Sequence, residues 1–355
     1  MLRIVEICIC YHKLLLIYIL QEARVDNIDL QIIRLLARDC RVPYGDIASA
    51  VGISTSATKV RISKMVSNRL IQTFGVLINP IIFGYEKECI LWVKNIDKRI
   101  KEQDLFKKVS LLGDIFIYAK QLEGAAALFV LFVGPRADSK LGVLSDLLKP
   151  AKVESVLGMY KPITMKLHNS DLEIMKSLLS DARMRVEDIA RDTSLSTKTV
   201  TRRLEKMREN HILQFTISTD LTSMQLTGFI ELHVLIHVDA SYHQNIVQRM
   251  YNEMQDYILH PPDDLVQYPI NYSINYKKEL VIASLCCANI STANLILRRI
   301  ESYEGVNNVE PITITSESRV YRDWLKIEID KRIAGSQKYS TSSSATAATT
   351  TITED

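Results

Sequence analysis

Residues 195–207 read Leu195-Ser196-Thr197-Lys198-Thr199-Val200-Thr201-Arg202-Arg203-Leu204-Glu205-Lys206-Met207. Ser196 is suited to cap a helix, because its hydroxyl can accept from an unsatisfied first-turn N–H. Val200, Leu204 and Met207 follow at i, i+4 and i+7 and so share one face of a helix ending near Asn210. The opposite face is basic. Between 196 and 208 stand Lys198, Arg202, Arg203, Lys206 and Arg208 against Glu205, a local charge of 5 − 1 = +4. A charge run is usually just a solvated helix face, so the context decides. Upstream, a helix with Leu172, Met175, Leu178 and Leu179 at three- and four-residue spacing, for which Ser170 is the expected cap, leads to a short helix around Glu187–Arg191. The tight connection Asp192-Thr193-Ser194-Leu195-Ser196 then gives the order of a helix-turn-helix.

The same pattern occurs twice. Sliding the chain by 142 residues places Asp29-Leu30 on Asp171-Leu172, Asp46-Ile47-Ala48 on Asp188-Ile189-Ala190, Ser54-Thr55 on Ser196-Thr197, and Lys64-Met65 on Lys206-Met207. Over positions 29–74 there are 16 identities in 46 ungapped pairs, which marks an internal duplication. The first copy also has a basic third helix, +3 between Ser54 and Val66 from Lys59, Arg61 and Lys64. Recurrence in one turn context points to recognition helices whose Lys and Arg neutralise DNA phosphates and reach base edges. The expected DNA-binding residues are Thr55, Ser56, Lys59, Arg61 and Lys64 in the first copy and Thr197, Lys198, Thr201, Arg202, Arg203 and Lys206 in the second. Val60 stands where the second copy has Arg202, and Thr58 where it has Val200, so the first copy is expected to hold DNA less strongly.

The rest of the chain narrows the alternatives. With 355 residues, 47% hydrophobic and 24% charged, it has the composition of a multidomain globular protein. The net charge of +3 implies nothing by itself; its concentration on two helices does. No G-x-x-x-x-G-K-S/T loop, G-x-S-x-G elbow or H-E-x-x-H pair is present. The six cysteines form no C-x-x-C pair, which fits a reducing cytoplasm and no metal or disulfide framework. Neither a catalytic centre nor a cofactor is expected. Residues 1–24 form an apolar extension too short and too interrupted by charge to span a bilayer, and 331–355 a Ser/Thr-rich tail expected to be disordered.

After each helix unit the signals run β-α-β-β-α-β, the ferredoxin-like order. In the first the elements fall near Ile90–Val93, Lys101–Leu112, Asp114–Gln121, Ala125–Val133, Asp138–Leu148 and Val153–Ile163. In the second they fall near Phe229–Val238, Gln244–Ile258, Val266–Tyr276, Leu280–Cys287, Thr292–Ser302 and Val309–Ile314. The expected division is helix-turn-helix 25–79, sheet domain 80–166, helix-turn-helix 167–220 and sheet domain 221–330.

The stretch Leu195–Met207, with Asn79-Pro80 followed by Gly84-Tyr85, resembles the recognition helix and linker strand of the leucine-responsive/AsnC (Lrp/AsnC) transcription regulators. The resemblance covers residues 25 to about 320 and occurs twice. It implies an α+β fold of two winged helix-turn-helix units, each followed by a ferredoxin-like (RAM-type) domain, and a cytoplasmic transcription regulator of double-stranded DNA that self-associates through the sheet domains. The two sheet domains could pair within the chain, giving a pseudo-dimer that reads an asymmetric site, or between chains, offering four helix units along the duplex. The resemblance also implies amino-acid effectors near a Gly-x-x-Asp turn; Gly113-Asp114 is the candidate, but Phe116 takes the acid position, which argues against an amino acid. His233 and His237 share a strand face with Glu231 and Asp239 and are the other effector or metal candidates, although a hydrogen-bonded pairing surface is the favoured account of that row. Sirohaem decarboxylases resemble the same architecture and supply an enzyme alternative, which the twice-kept basic face opposes; a protein acting only through protein partners is the third reading.

Overall fold

The computed structural model describes residues 25–96, 100–121, 126–133, 136–160, 163, 165–219, 230–254, 257–260, 274–275, 279–287, 289–319 and 323–334. The extension 1–24, the chain from 335 and most of the expected strand Val266–Tyr276 lie outside them.

Both helix units form as their sequences dictate. In α1 (Asn27–Arg38) the Asp26 side chain accepts from the Asp29 N–H at 2.9 Å while Asp29 accepts from the Asp26 N–H at 3.3 Å, a reciprocal cap that fixes the helix start. Leu30, Ile33, Leu36 and Ala37 bury its apolar stripe. Helix α2 (Tyr44–Val51) stops at Gly52, whose φ of 73° is the left-handed conformation glycine adopts without a Cβ penalty. Ser54 then caps α3 (Thr55–Ser67) through the Ala57 N–H. The second unit repeats this with α6 (Asn169–Leu178), α7 (Val186–Thr193) and α8 (Thr197–Glu209); Ser196 caps α8 through the Thr199 N–H at 3.1 Å, as its sequence requires. Ser170 does not cap α6. The helix begins two residues earlier in effect, at His168, because the Asp171 carboxylate reaches back to accept from the His168 N–H at 2.8 Å.

Each helix unit continues into one strand, β1 (Ile71–Ile78) and β6 (Leu213–Thr219), and these pair antiparallel; the linker strand expected at Asn79–Tyr85 is instead a 3-10 turn over Pro80–Phe83 that Asn79 caps. Their register is reciprocal: Phe74 faces Ile217, the repeat equivalent of Gly75, and Gly75 faces Thr216, the equivalent of Phe74. A residue paired with the equivalent of its neighbour, and the reverse, is the mark of a twofold relation between the halves. The Thr73 and Ser218 hydroxyls meet across it at 2.7 Å. The two units share one core, in which Ile32, Ile33, Leu36 and Ile47 join Ile174, Met175, Leu178, Ile189, Val200 and Met207.

Both sheet domains have the ferredoxin-like strand order, but in the second the place expected for a strand at Val266–Tyr276 beside Leu280–Cys287 is taken by Ile258–His260. The first consists of β2 (Tyr85–Lys94), α4 (Glu102–Ser110), β3 (Asp114–Gln121), β4 (Ala126–Val133), α5 (Ala137–Leu147) and β5 (Lys152–Tyr160), with strand order β3-β4-β2-β5. The second consists of β7 (Ile230–Val238), α9 (His243–Met254), β8 (Ile258–His260), β9 (Ile274–Asn275), β10 (Leu280–Cys287), α10 (Ile290–Glu301) and β11 (Val306–Arg319), with β8-β10-β7-β11 as its four-strand core. The helix expected to reach Ile258 ends at Met254, since Ile258 fits a strand beside β10 as well as it fits a helical stripe.

The two sheets are joined. Strand β11 pairs with β7 over its first half, then Ile314–Arg319 pair with Gln121–Ile117 of β3; at the other edge β9 pairs with β5. Lys94 on β2 lies 2.9 Å from both Glu154 on β5 and Glu310 on β11. Glu310 lies in the half of β11 that pairs with β7, so this contact ties the second sheet to β2 of the first. Ile90 and Trp92, which alternate with the core residues Cys89, Leu91 and Val93, are buried on the other face of β2. The chain therefore pairs its own sheet domains.

Residues 323–334 are helical (α11) and cross the expected boundary at 330/331. This helix packs against the helix units: Trp324, Leu325 and Ile329 enter their core, and Trp324 meets Phe83 and Tyr85 edge-on at 5.7 and 5.5 Å. Among the described residues no helix is long and apolar enough to cross a membrane, and no cluster of His, Cys, Asp and Glu is placed to hold a metal ion.

Candidate nucleic-acid interface

Helix α3 buries Thr58, Ile62 and Met65, and α8 buries the equivalent Val200, Leu204 and Met207. Burial of one stripe fixes which side chains remain outside. Over residues 55–64 of α3 these are Thr55, Ser56, Lys59, Val60, Ser63 and Lys64, and over 197–206 of α8 they are Thr197, Lys198, Thr201, Arg202, Glu205 and Lys206, position for position; Val66 and Ser67, and their equivalents Arg208 and Glu209, are exposed as well. Thr58 is accommodated in the apolar stripe because its hydroxyl donates to the Ser54 carbonyl at 3.1 Å. Lys59 lies over the Tyr44 ring at 5.6 Å. Among the described residues Lys198, Arg202 and Lys206 enter no ion pair, so their charges are free for an anionic partner.

Arg61 and Arg203 differ from that expectation. Both are half-buried and turn back onto the first helix of their own unit. Arg61 contacts Asp26 at 2.7 Å and Asp29 at 2.8 Å, and these hydrogen bonds, Asp29's first, raise its pKa above the ordinary guanidinium value. Arg203 meets the fully buried Asp171 at 3.4 Å. Sequence spacing put the two arginines on the helix's basic side; a buried carboxylate in α1 and α6 draws them inward. They position the third helix against the first. Arg208 is similarly engaged, with Asp39 of the other unit at 2.7 Å.

The contact between units includes a pair the sequence reading passed over. Arg41 donates to the Ala182 and Met184 carbonyls at 2.8 Å each, and Arg183, its repeat equivalent, donates to the Val42 carbonyl at 3.4 Å. Arg41 also lies over the Phe215 ring and Arg183 over the Tyr44 and Phe74 rings. Burial lowers the Arg41 pKa. The signal was available, since Asp39-x-Arg41 and Asp181-x-Arg183 are identities of the repeat. Asn79 completes the join: buried, it caps the short 3-10 helix Pro80–Phe83 through the Ile81 N–H and donates across the units to Ile212 and His211 carbonyls at 2.8 and 3.3 Å.

The effector candidates are not brought together. Asp114 accepts from the Tyr85 hydroxyl at 2.5 Å, beneath Trp324, and Gly113 closes the turn after α4. His233 and His237 lie on β7, opposite Ile312 and Asn308 of β11, whereas the Gly113-Asp114 end of β3 lies beyond Arg319 of the same strand. The β11 partners of His237 and Ile117, Asn308 and Arg319, sit near opposite ends of the strand, and Asp114 lies three residues beyond Ile117. Asp239, expected in the polar row, instead accepts from Asn307 at 2.9 Å.

Comparison with known proteins places the helix units. The AsnC-type helix-turn-helix domain matches twice, at residues 25–66 and 169–208. An uncharacterised HTH-type transcriptional regulator of Pyrococcus furiosus is 35% identical over 91 residues, 26% of this chain and 60% of that protein. Regulatory protein AsnC of Haemophilus influenzae is 31% identical over 90 residues, 24% of this chain and 60% of that protein. The chain thus spans about 60% of the length of these curated relatives. Among solved structures, the siroheme decarboxylase NirDL aligns with 12% identity and a TM-score of 0.45 over 86% of this chain and 99% of that one, and an AsnC family transcriptional regulator from Agrobacterium tumefaciens with 22% identity and a TM-score of 0.30 over 41% and 97%.

Proposed function

The chain carries two AsnC-type helix-turn-helix domains, and from that premise we propose that it is a cytoplasmic, sequence-specific DNA-binding transcription regulator whose two halves form one reading head. The observation that carries this reading is the matched pair of exposed, basic faces on α3 and α8, held by a shared core and a reciprocal β1–β6 pairing. Lys59, Lys64, Lys198, Arg202 and Lys206 supply phosphate contacts, and the first two turns of each helix, Thr55 to Val60 and Thr197 to Arg202, enter the major groove. Arg61 and Arg203 serve the interface as positioning residues. The sheet domains hold the halves together, taking within the chain the surface expected to serve self-association.

The test is binding to fluorescent duplex DNA across a salt series, wild type against Arg202→Ala/Lys206→Ala. Each lost phosphate contact lowers the slope of log affinity against log salt by about 0.9, so the double variant should flatten it by nearly 2. Absence of binding at low salt, or a slope the variant leaves untouched, overturns the reading.

A further inference from the structure

The twofold relation makes α3 and α8 equivalent in placement, but the exposed position nearest the middle of the helix carries opposite chemistry. Val60 is 68% exposed on the outer face of α3, one turn from Ser56 and one turn from Lys64. Its equivalent is the exposed, unpaired Arg202. An isopropyl group 68% exposed in the middle of a polar helix face is not covered by any of the described residues. In the major groove a single base feature suits it, the 5-methyl of thymine; every other base edge presents donors or acceptors that a valine would desolvate without satisfying. Arg202 suits the reverse case, since a guanidinium pairs with the O6 and N7 acceptors of guanine.

Resting on the DNA-reading role proposed above, we propose that Val60 and Arg202 read different bases at equivalent positions of the two half-sites, Val60 a thymine methyl and Arg202 a guanine. The target is an imperfect inverted repeat. Lys59 against Thr201 and Ser56 against Lys198 add to the inequality, and Thr55 against Thr197 preserves what the halves share.

The experiment is selection of binding sites from a randomised duplex pool with wild type, Val60→Arg and Arg202→Val, full-length chain in each case, after confirming that all three unfold at the same midpoint. Wild type should enrich a site with thymine in one half where the other has guanine; Val60→Arg should turn that thymine to guanine, and Arg202→Val that guanine to thymine. Replacing the thymine by uracil in the selected site should then weaken wild type about fourfold, the worth of one buried methyl group, and leave Val60→Arg unaffected. A symmetric wild-type site, or a Val60→Arg site identical to wild type, overturns the assignment while leaving DNA reading intact. A failure of all three proteins to enrich any sequence overturns the DNA reading as well.

Discussion

The two helix units share a fold, a core and a symmetry, yet they solve the same local problems with different residues. Where the first ends its second helix on Gly52 at φ 73°, the second uses Ser194 at φ 55°. Where the first binds its recognition-helix arginine between two carboxylates, Asp26 and Asp29, the second has His168 at the position of Asp26 and leaves Arg203 with Asp171 alone. Where α8 exposes Arg202, α3 exposes Val60. The framework residues and the outer faces have diverged separately: the first unit has the better-satisfied scaffold and the second the more strongly charged surface. Duplication within one chain permits this, because neither half must also pair with a copy of itself.

The largest effects should come from the buried ion pairs. Among the described residues Arg203 is the ionic partner of a fully buried carboxylate whose Oδ1 accepts no hydrogen bond there, so Arg203→Met should cost about 3 kcal/mol in urea unfolding. Arg61→Met should cost less, as Asp26 is half exposed and Asp29 keeps its place in the helix cap. Equal losses would mean the two scaffolds are energetically alike.

Next come the outer faces. Arg202→Ala should weaken DNA binding by about 1–3 kcal/mol, roughly 5- to 150-fold, and Val60→Ala by less than 1 kcal/mol, measured by fluorescence anisotropy at fixed salt. A greater loss at Val60 would reverse the assignment of the stronger half.

The helix ends separate the units by smaller amounts. A residue other than glycine in the left-handed conformation costs about 1 kcal/mol, so Ser194→Gly should stabilise and Gly52→Ser should destabilise by about that much in thermal melts.

The smallest effect concerns acid. Burial opposes ionisation of Asp26, but the Asp29 N–H and Arg61 outweigh it and hold its pKa below the ordinary carboxylate value. A lowered folded-state pKa contributes stability that is present above the unfolded value, about 3.9, and fades as pH falls through and below it. Asp26→Asn should therefore lessen the dependence of urea midpoints on pH below about 4. Parallel curves for Asp26→Asn and wild type would deny Asp26 that part.

Much of this was legible in the sequence. The 142-residue repeat, the Ser54 and Ser196 caps and the β-α-β-β-α-β order follow from local signals, helix periodicity and alternation, which act over a few residues. What was not legible is long-range. The reciprocal pairing of β1 with β6 joins residues about 140 apart, and the fusion of β11 to β3 joins residues nearly 200 apart; no pattern within either strand specifies its partner. The inward turn of Arg61 and Arg203 depends on Asp29 and Asp171, 32 residues away in sequence. The apolar residues of α11 (323–334) could equally have served the neighbouring sheet domain, and only the structure shows Trp324 against Phe83.

Pairing of the two halves within one chain underlies both the unequal reading head and the joined sheets, and a cross-link tests it directly. Thr73 and Ser218 face each other across β1 and β6. In Thr73→Cys/Ser218→Cys, mild oxidation at low protein concentration, followed by non-reducing electrophoresis and mass spectrometry of the cross-linked peptides, should give a species of single-chain mass carrying the 73–218 disulfide, with salt-dependent DNA binding retained. A 73–218 cross-link found only between two chains, at every concentration tried, would contradict the intrachain pairing.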